Sequence, residues 1–219
     1  MKKIQLKQVL RNKRFVLFTI ILPIGWYIFF YHLQKGVSPS ILLGIAVFIG
    51  VIGNSLATFS KRIASDIGFY SFESRFTSYS VKNYLWDQSI VQLIMNSLIF
   101  LAVLVVAVLG FHFPVTTSLL VQFFLLSLMG IYFSVIGFVL GVRVDAKTID
   151  TIGFPVIILA AMTIIPFDTL GASGGFMDLV GKLQRVFPGY YYTKLIQDLT
   201  EKQTIDATQL ALFVAVFGL

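Results

Sequence analysis

Cysteine is absent from the 219 residues. That excludes disulfides, thiolate zinc sites, iron–sulfur clusters and a cysteine nucleophile. Charge is scarce as well: 12% of residues are Asp, Glu, Lys or Arg, against 57% that are hydrophobic. A soluble domain carries about 25% charged residues, and a chain this apolar has too little polar surface to shield its core from water. The histidines are His32 and His112, far apart in sequence and away from any patterned carboxylate, so no local metal-ligand pair arises. HExxH does not occur, which removes zinc-protease chemistry of that type. The run Gly175-Phe176-Met177-Asp178-Leu179-Val180-Gly181-Lys182-Leu183 imitates a phosphate loop. It has one residue too many between its glycines, and Leu stands where a Mg²⁺-binding Ser or Thr is needed. Any ATP this chain uses would be bound by another polypeptide.

Long apolar runs are what the sequence has instead. Six stretches carry no charged residue: 15–31, 41–59, 88–109, 119–142, 152–167 and 207–219. One charge at a helix centre costs about 2.5–3.5 kcal/mol in membrane insertion, whereas each Leu, Ile, Phe or Val there gains about 0.3–0.6 kcal/mol. A crossing needs roughly 20 residues. The uncharged run 88–142 is too long for one crossing, and Gly110-Phe111-His112-Phe113-Pro114 is read as a hairpin that divides it. The run from 207 stops short of a comfortable crossing, so it reads as a sixth span whose end lies beyond Leu219. No small-residue cleavage site follows 15–31, since His32-Leu33-Gln34-Lys35 comes next, and a retained first helix is expected there.

The net charge of +7 flanks the apolar runs, as contact with anionic headgroups requires, and forms no stripe on a nucleic-acid-binding module. An N-terminus in the cytoplasm gives the inner side twelve Lys and Arg residues and the outer side five. This bias sets the expected orientation. Residues 1–14 read as a basic helix lying in the interface, with Ile4, Leu6, Val9 and Leu10 toward lipid. Segment 60–87 is then cytoplasmic, and its aromatics, Arg and mixed charges suit a docking surface with a helix in its middle. Segment 168–206 is external, with two amphipathic runs around Phe176–Phe187 and Tyr190–Leu199 separated by Pro188-Gly189. These read as short helices dipping into the outer leaflet, with the cluster Tyr190-Tyr191-Tyr192 at interfacial depth.

The spans contain no Asp, Glu, Lys or Arg, which argues against a self-contained proton- or voltage-coupled transporter. Their neutral polar residues include Asn54, Ser55 and Thr58 in the second span and Gln88, Gln92 and Asn96 in the third. The last three share one helix face and must point at protein or a wet path. Asn54, Gln88, Gln92 and Asn96 are therefore candidate pathway or helix-packing residues. Gly137-Phe138-Val139-Leu140-Gly141 is a GxxxG pattern that permits close helix approach.

The parts come in a characteristic order: a basic N-terminal elbow, two spans, Phe72-Glu73-Ser74-Arg75 followed by Ser80-Val81-Lys82-Asn83-Tyr84-Leu85, three more spans, then Val186-Phe187-Pro188 before the last span. In this order the chain resembles a permease subunit of the ABC-2 type of ATP-binding-cassette exporter, although Phe187 stands where that family leads one to expect Asn. The resemblance implies an all-α integral membrane protein, a single domain over 1–219. It would be a six-transmembrane-helix bundle with an interfacial elbow and short external re-entrant helices before the sixth span. It implies a multi-pass, non-enzymatic transport subunit of the cell membrane with no cofactor of its own, ATP and Mg²⁺ being held by two separate ATPase subunits. A second permease, a copy or a relative, would complete the pathway for a hydrophobic or amphipathic cargo such as a drug, an antimicrobial peptide or a lipid. Phe72, Glu73, Arg75, Phe76 and Lys82 are the expected ATPase-coupling residues. The other reading of the residues is a membrane-embedded immunity or sensor protein that acts by binding, without an ATPase.

Overall fold

The computed structural model describes residues 17–33, 36–76, 80–165, 167, 174–201 and 204–217. Among these the chain is all-helical. The centre is α2 (Pro39–Ile52), in which every residue from Ile41 to Ile52 is buried. An all-round apolar sequence produces an all-round buried helix. Around α2 stand α1 (Leu22–Leu33), α4 (Val81–Phe111), α5 (Ser118–Arg143), α6 (Ala146–Ala161) and α8 (Pro188–Glu201). Helix α3 (Ser60–Phe76) packs on α5 and α6, and α9 (Ala207–Phe217) packs on α8. Helix α7 (Gly175–Gln184) precedes α8, and a π-helical turn, Leu17–Ile21, leads into α1.

Three helical stretches are long and apolar enough to cross a membrane: Pro39–Gly68, Asn83–Phe111 and Ser118–Arg143. Two more apolar helices, Thr19–Leu33 and Ala207–Val216, are shorter. Helix α6 has 16 residues with Pro155 inside it and ends in a turn, where a span over 152–167 was expected. The expected elbow over residues 1–14 lies outside the described residues.

In lipid, apolar side chains gain little by meeting one another, because acyl chains are equally apolar; small residues and interhelical hydrogen bonds hold the helices instead. Helix α5 presents such a face to the centre. Gly130, Ser134, Gly137 and Gly141 are all buried. A Cβ on Gly137 would strike the carbonyl oxygen of Ser55, and one on Gly141 the carbonyl oxygen of Ser60. The GxxxG pattern thus seats one backbone on another. The stretch it meets, Gly53–Phe59, is wound as a π-helical turn between α2 and α3. The Ser60 hydroxyl donates to the carbonyl oxygen of Ala57 at 3.2 Å within that turn.

Two boundaries are set locally. In segment 60–87, where a docking surface with a helix in its middle is expected, α3 runs on from the π turn to Phe76 and α4 begins at Val81. The reason is local, since Ser60–Phe76 contains no proline. At the 110–114 break, Gly110 stays helical and His112 takes the left-handed conformation at φ 52° that ends α4.

Candidate functional site

A polar seam runs through the apolar bundle between α2, α4 and α5. Gln88, Gln92 and Asn96 recur one turn apart on α4 and are 1%, 3% and 4% exposed. Each meets a different partner, on the π-helical turn that follows α2 or on α3. Gln92 donates from Nε2 to Ser55 Oγ at 3.1 Å. The Ser55 and Ser134 hydroxyls lie 3.3 Å apart. Ser134 spends its proton on the carbonyl of Gly130 at 2.6 Å, so Ser55 is the donor between the two hydroxyls. Asn54 donates from Nδ2 to Asn96 Oδ1 at 3.2 Å. The structure therefore brings all four candidate residues, Asn54, Gln88, Gln92 and Asn96, into one seam of interhelical bonds.

The seam ends at Arg62, one turn into α3. Its Nη2 donates to Gln88 Oε1 at 2.9 Å, and its guanidinium sits 5.2 Å from the centroid of the Phe59 ring, a cation–π contact. Next to it, Lys61 pairs with Asp150 of α6 in a half-exposed ion pair. The seam also contains donors with no acceptor: Arg62 Nε, Gln88 Nε2 and Asn96 Nδ2 are buried without a hydrogen-bond partner. Asn96 Nδ2 packs against Gly130, where any Cβ would collide with it. It also lines a crevice bounded by Val47, Val51, Phe100, Phe123, Leu126 and Ser127 that has no room for a water molecule. A small-molecule site needs roughly 300–1,000 Å³.

At the other end of α2 a second polar contact closes the bundle. Gln122 of α5 donates from Nε2 to the Ser40 carbonyl at 2.7 Å and to Tyr192 Oη at 3.0 Å. Gly44 makes the space, since a Cβ there would hit Tyr192 Oη and lie 2.8 Å from Gln122 Nε2. Burial pushes the Tyr192 phenol well above its ordinary value, and the Gln122 hydrogen bond opposes this only in part. It stays protonated. Nearby, α7 and α8 satisfy the open carbonyls at the end of α6. Gln184 Nε2 donates to the carbonyl of Ile165 at 2.8 Å, and Thr193 Oγ1 donates to that of Ile164 at 2.9 Å. Tyr192 is thus a buried, hydrogen-bonded residue and not an interfacial one, because α8 turns it against the bundle. Helix α7 and the turn after it keep an exposed apolar face of Leu179, Leu183 and Val186.

Of the coupling candidates, Phe72, Glu73, Arg75 and Phe76 fall on the last turns of α3 and Lys82 on the first turn of α4; their side chains lie outside those described. Sequence reasoning missed Ser134, Gln122, Tyr192 and the part played by Arg62. A lone amide in an otherwise apolar run was the available signal for Gln122. Among the described residues no group of His, Asp and Glu is placed to hold a metal ion. No family model, no curated protein and no solved structure matches the chain.

Proposed function

We propose that the chain is the permease subunit of an ATP-driven, ABC-2-like exporter, crossing the cell membrane six times with its N-terminus in the cytoplasm. It would work with a second permease subunit and two cytoplasmic ATPase subunits that hold ATP and Mg²⁺, and carry a hydrophobic or amphipathic cargo. The observation that supports this reading is the continuity of the helical rod from Pro39 to Phe76. One end of the rod is buried on all sides and holds the Asn54 and Ser55 partners of the seam. Its other end bears Phe72, Glu73, Arg75 and Phe76. A push on that end by an ATPase would reach the seam through a stiff element. Interhelical hydrogen bonds of about 0.6 kcal/mol each are weak enough to exchange during such a motion. Apolar runs free of Asp, Glu, Lys and Arg agree with an energy source on another chain.

The reading is tested by purifying the tagged chain from its native membranes. A stoichiometric ATP-binding-cassette ATPase should accompany it, and Glu73→Lys with Arg75→Glu should release that partner while the membrane level of the chain is unchanged. If no ATPase accompanies the chain, or the charge reversals leave the partner bound, the reading fails. The crevice beside Asn96, which has no room for a water molecule, favours a second reading: a membrane protein acting by binding alone, as an immunity or sensor protein does. It predicts the absence of any ATPase in the same purification.

A further inference from the structure

We infer that the Arg62–Gln88 pair is a binding site for the phosphate oxyanion of an anionic phospholipid, seated at the membrane surface beside α3 and α4. This rests on the apolar spanning helices and not on the transport reading.

The chemistry comes from unfilled donors. An arginine presents Nε–H and an Nη–H side by side, a fork that grips two oxygens of one oxyanion. In Arg62 only half of the polar capacity on that edge is used, because Nη2 donates to Gln88 Oε1 at 2.9 Å and Nε has no acceptor. Gln88 is 1% exposed, and its Nε2 also has no acceptor. Two buried, unpaired donors inside one hydrogen-bonded pair are costly, and both are relieved by one ligand that only accepts. Arg62 supplies the cationic charge, since Lys61 is already paired with Asp150. Asp66, one turn along α3, offsets part of that charge yet fills neither open donor.

The depth of the site selects a lipid over a soluble anion. The helical rise from Pro39 to Arg62 is about 35 Å, against a hydrocarbon core about 30 Å thick. A span that starts at Pro39 therefore delivers the guanidinium to the headgroup layer. Trp86, 67% exposed and two residues before Gln88, marks the same layer, since indole rings gather at that boundary. Leu85, also exposed, offers acyl-chain contact beside it.

The test uses the full chain in nanodiscs of phosphatidylcholine, with or without phosphatidylglycerol. Lipid retention is read by native mass spectrometry and stability by thermal unfolding. The unaltered chain should keep a phosphatidylglycerol molecule and unfold at a higher temperature in the anionic discs. Gln88→Glu gives Arg62 an internal carboxylate and removes the amide donor. It should lower retention about tenfold or more and abolish the difference between the two discs, with an unfolding temperature in phosphatidylcholine at or above that of the parent. If Gln88→Glu does not fold, Arg62→Gln is read for the same loss of retention. Undiminished retention by the folded variant overturns the proposal, because the effect is then general surface charge. Equal stabilisation by inorganic phosphate in phosphatidylcholine discs also overturns it, in favour of a soluble anion. So does an unaltered chain indifferent to both, whose donors are then met by water.

Discussion

Two glutamines serve the central helix α2 and its extension, one near each end, and they are used differently. Gln122 gives its amide nitrogen to the Ser40 carbonyl and to Tyr192 Oη, and the phenol it meets is sealed from solvent. Gln88 gives its oxygen to Arg62 and leaves its nitrogen unused. The residue type and the burial are the same; the difference is whether the neighbouring helix supplies an acceptor. Where it does, the contact is a fixed latch, because in a low-dielectric interior every alternative leaves a polar group unpaired. Where it does not, the pair has capacity for something from outside.

The largest effect is expected at the helix crossing that brings both ends together. Gly137→Leu places a side chain in the backbone of Ser55. Overpacking of about 1–3 kcal/mol or more should separate α5 from the centre and abolish the sharp thermal transition of the purified chain. Next comes the Tyr192 end: Gly44→Val should expel Tyr192 and lower stability by about 1–3 kcal/mol, read by exposure of the phenol to alkaline titration. Gln122→Leu removes one donor from two acceptors and should cost about 1–2 kcal/mol, with Tyr192→Phe costing less because Gln122 still bonds to Ser40. The comparison is sharpest in the double variant Arg62→Met with Gln88→Leu. Removing both partners of an incompletely paired contact should leave thermal stability in phosphatidylcholine discs unchanged or raised, whereas Gln122→Leu with Tyr192→Phe should lower it.

The smallest effect is electrostatic and lies outside the bundle. Asp145 caps α6, accepting from the Thr148 hydroxyl at 2.6 Å and from the Thr148 and Lys147 amides at 3.0 Å each. These bonds, that of the Thr148 hydroxyl first, hold its carboxyl below the ordinary range. A depressed carboxylate adds stability above its unfolded value of about 3.9 and loses it as pH falls through the lower folded value. Protection of the Lys147 and Thr148 amides from exchange, relative to their intrinsic rates, should therefore fall only at acid pH. Asp145→Asn, which keeps a capping oxygen without a charge, should remove that pH dependence.

Much of this was legible in the residues. Asn54, Gln88, Gln92 and Asn96 stood out because amides in apolar runs have no use facing lipid, and their spacing put three of them on one face. Gly137 and Gly141 stood out for their spacing. Gln122 and Tyr192 were not legible as a pair, since they come from an apolar run and an amphipathic segment 70 positions apart. The tyrosine run looked interfacial because nothing local distinguishes a phenol at a headgroup from one against a glycine. That α3 runs on from the π turn was also hidden, because the composition of 60–87 does not say whether the helix before it stops.

By itself the sequence determined the medium and the building material. Its composition and uncharged runs call for helices in lipid, because a backbone without water must bond within its own segment. Only the tertiary structure decided which apolar helix stands at the centre. Pro39–Gly68 is 89% buried over its most apolar window and Asn83–Phe111 is 33% buried, although the second is the more hydropathic. Hydropathy cannot choose between them, since lipid and protein are equally apolar neighbours. The choice came from where glycines let two backbones touch and where amides found partners, and both depend on pairs of residues far apart in the chain.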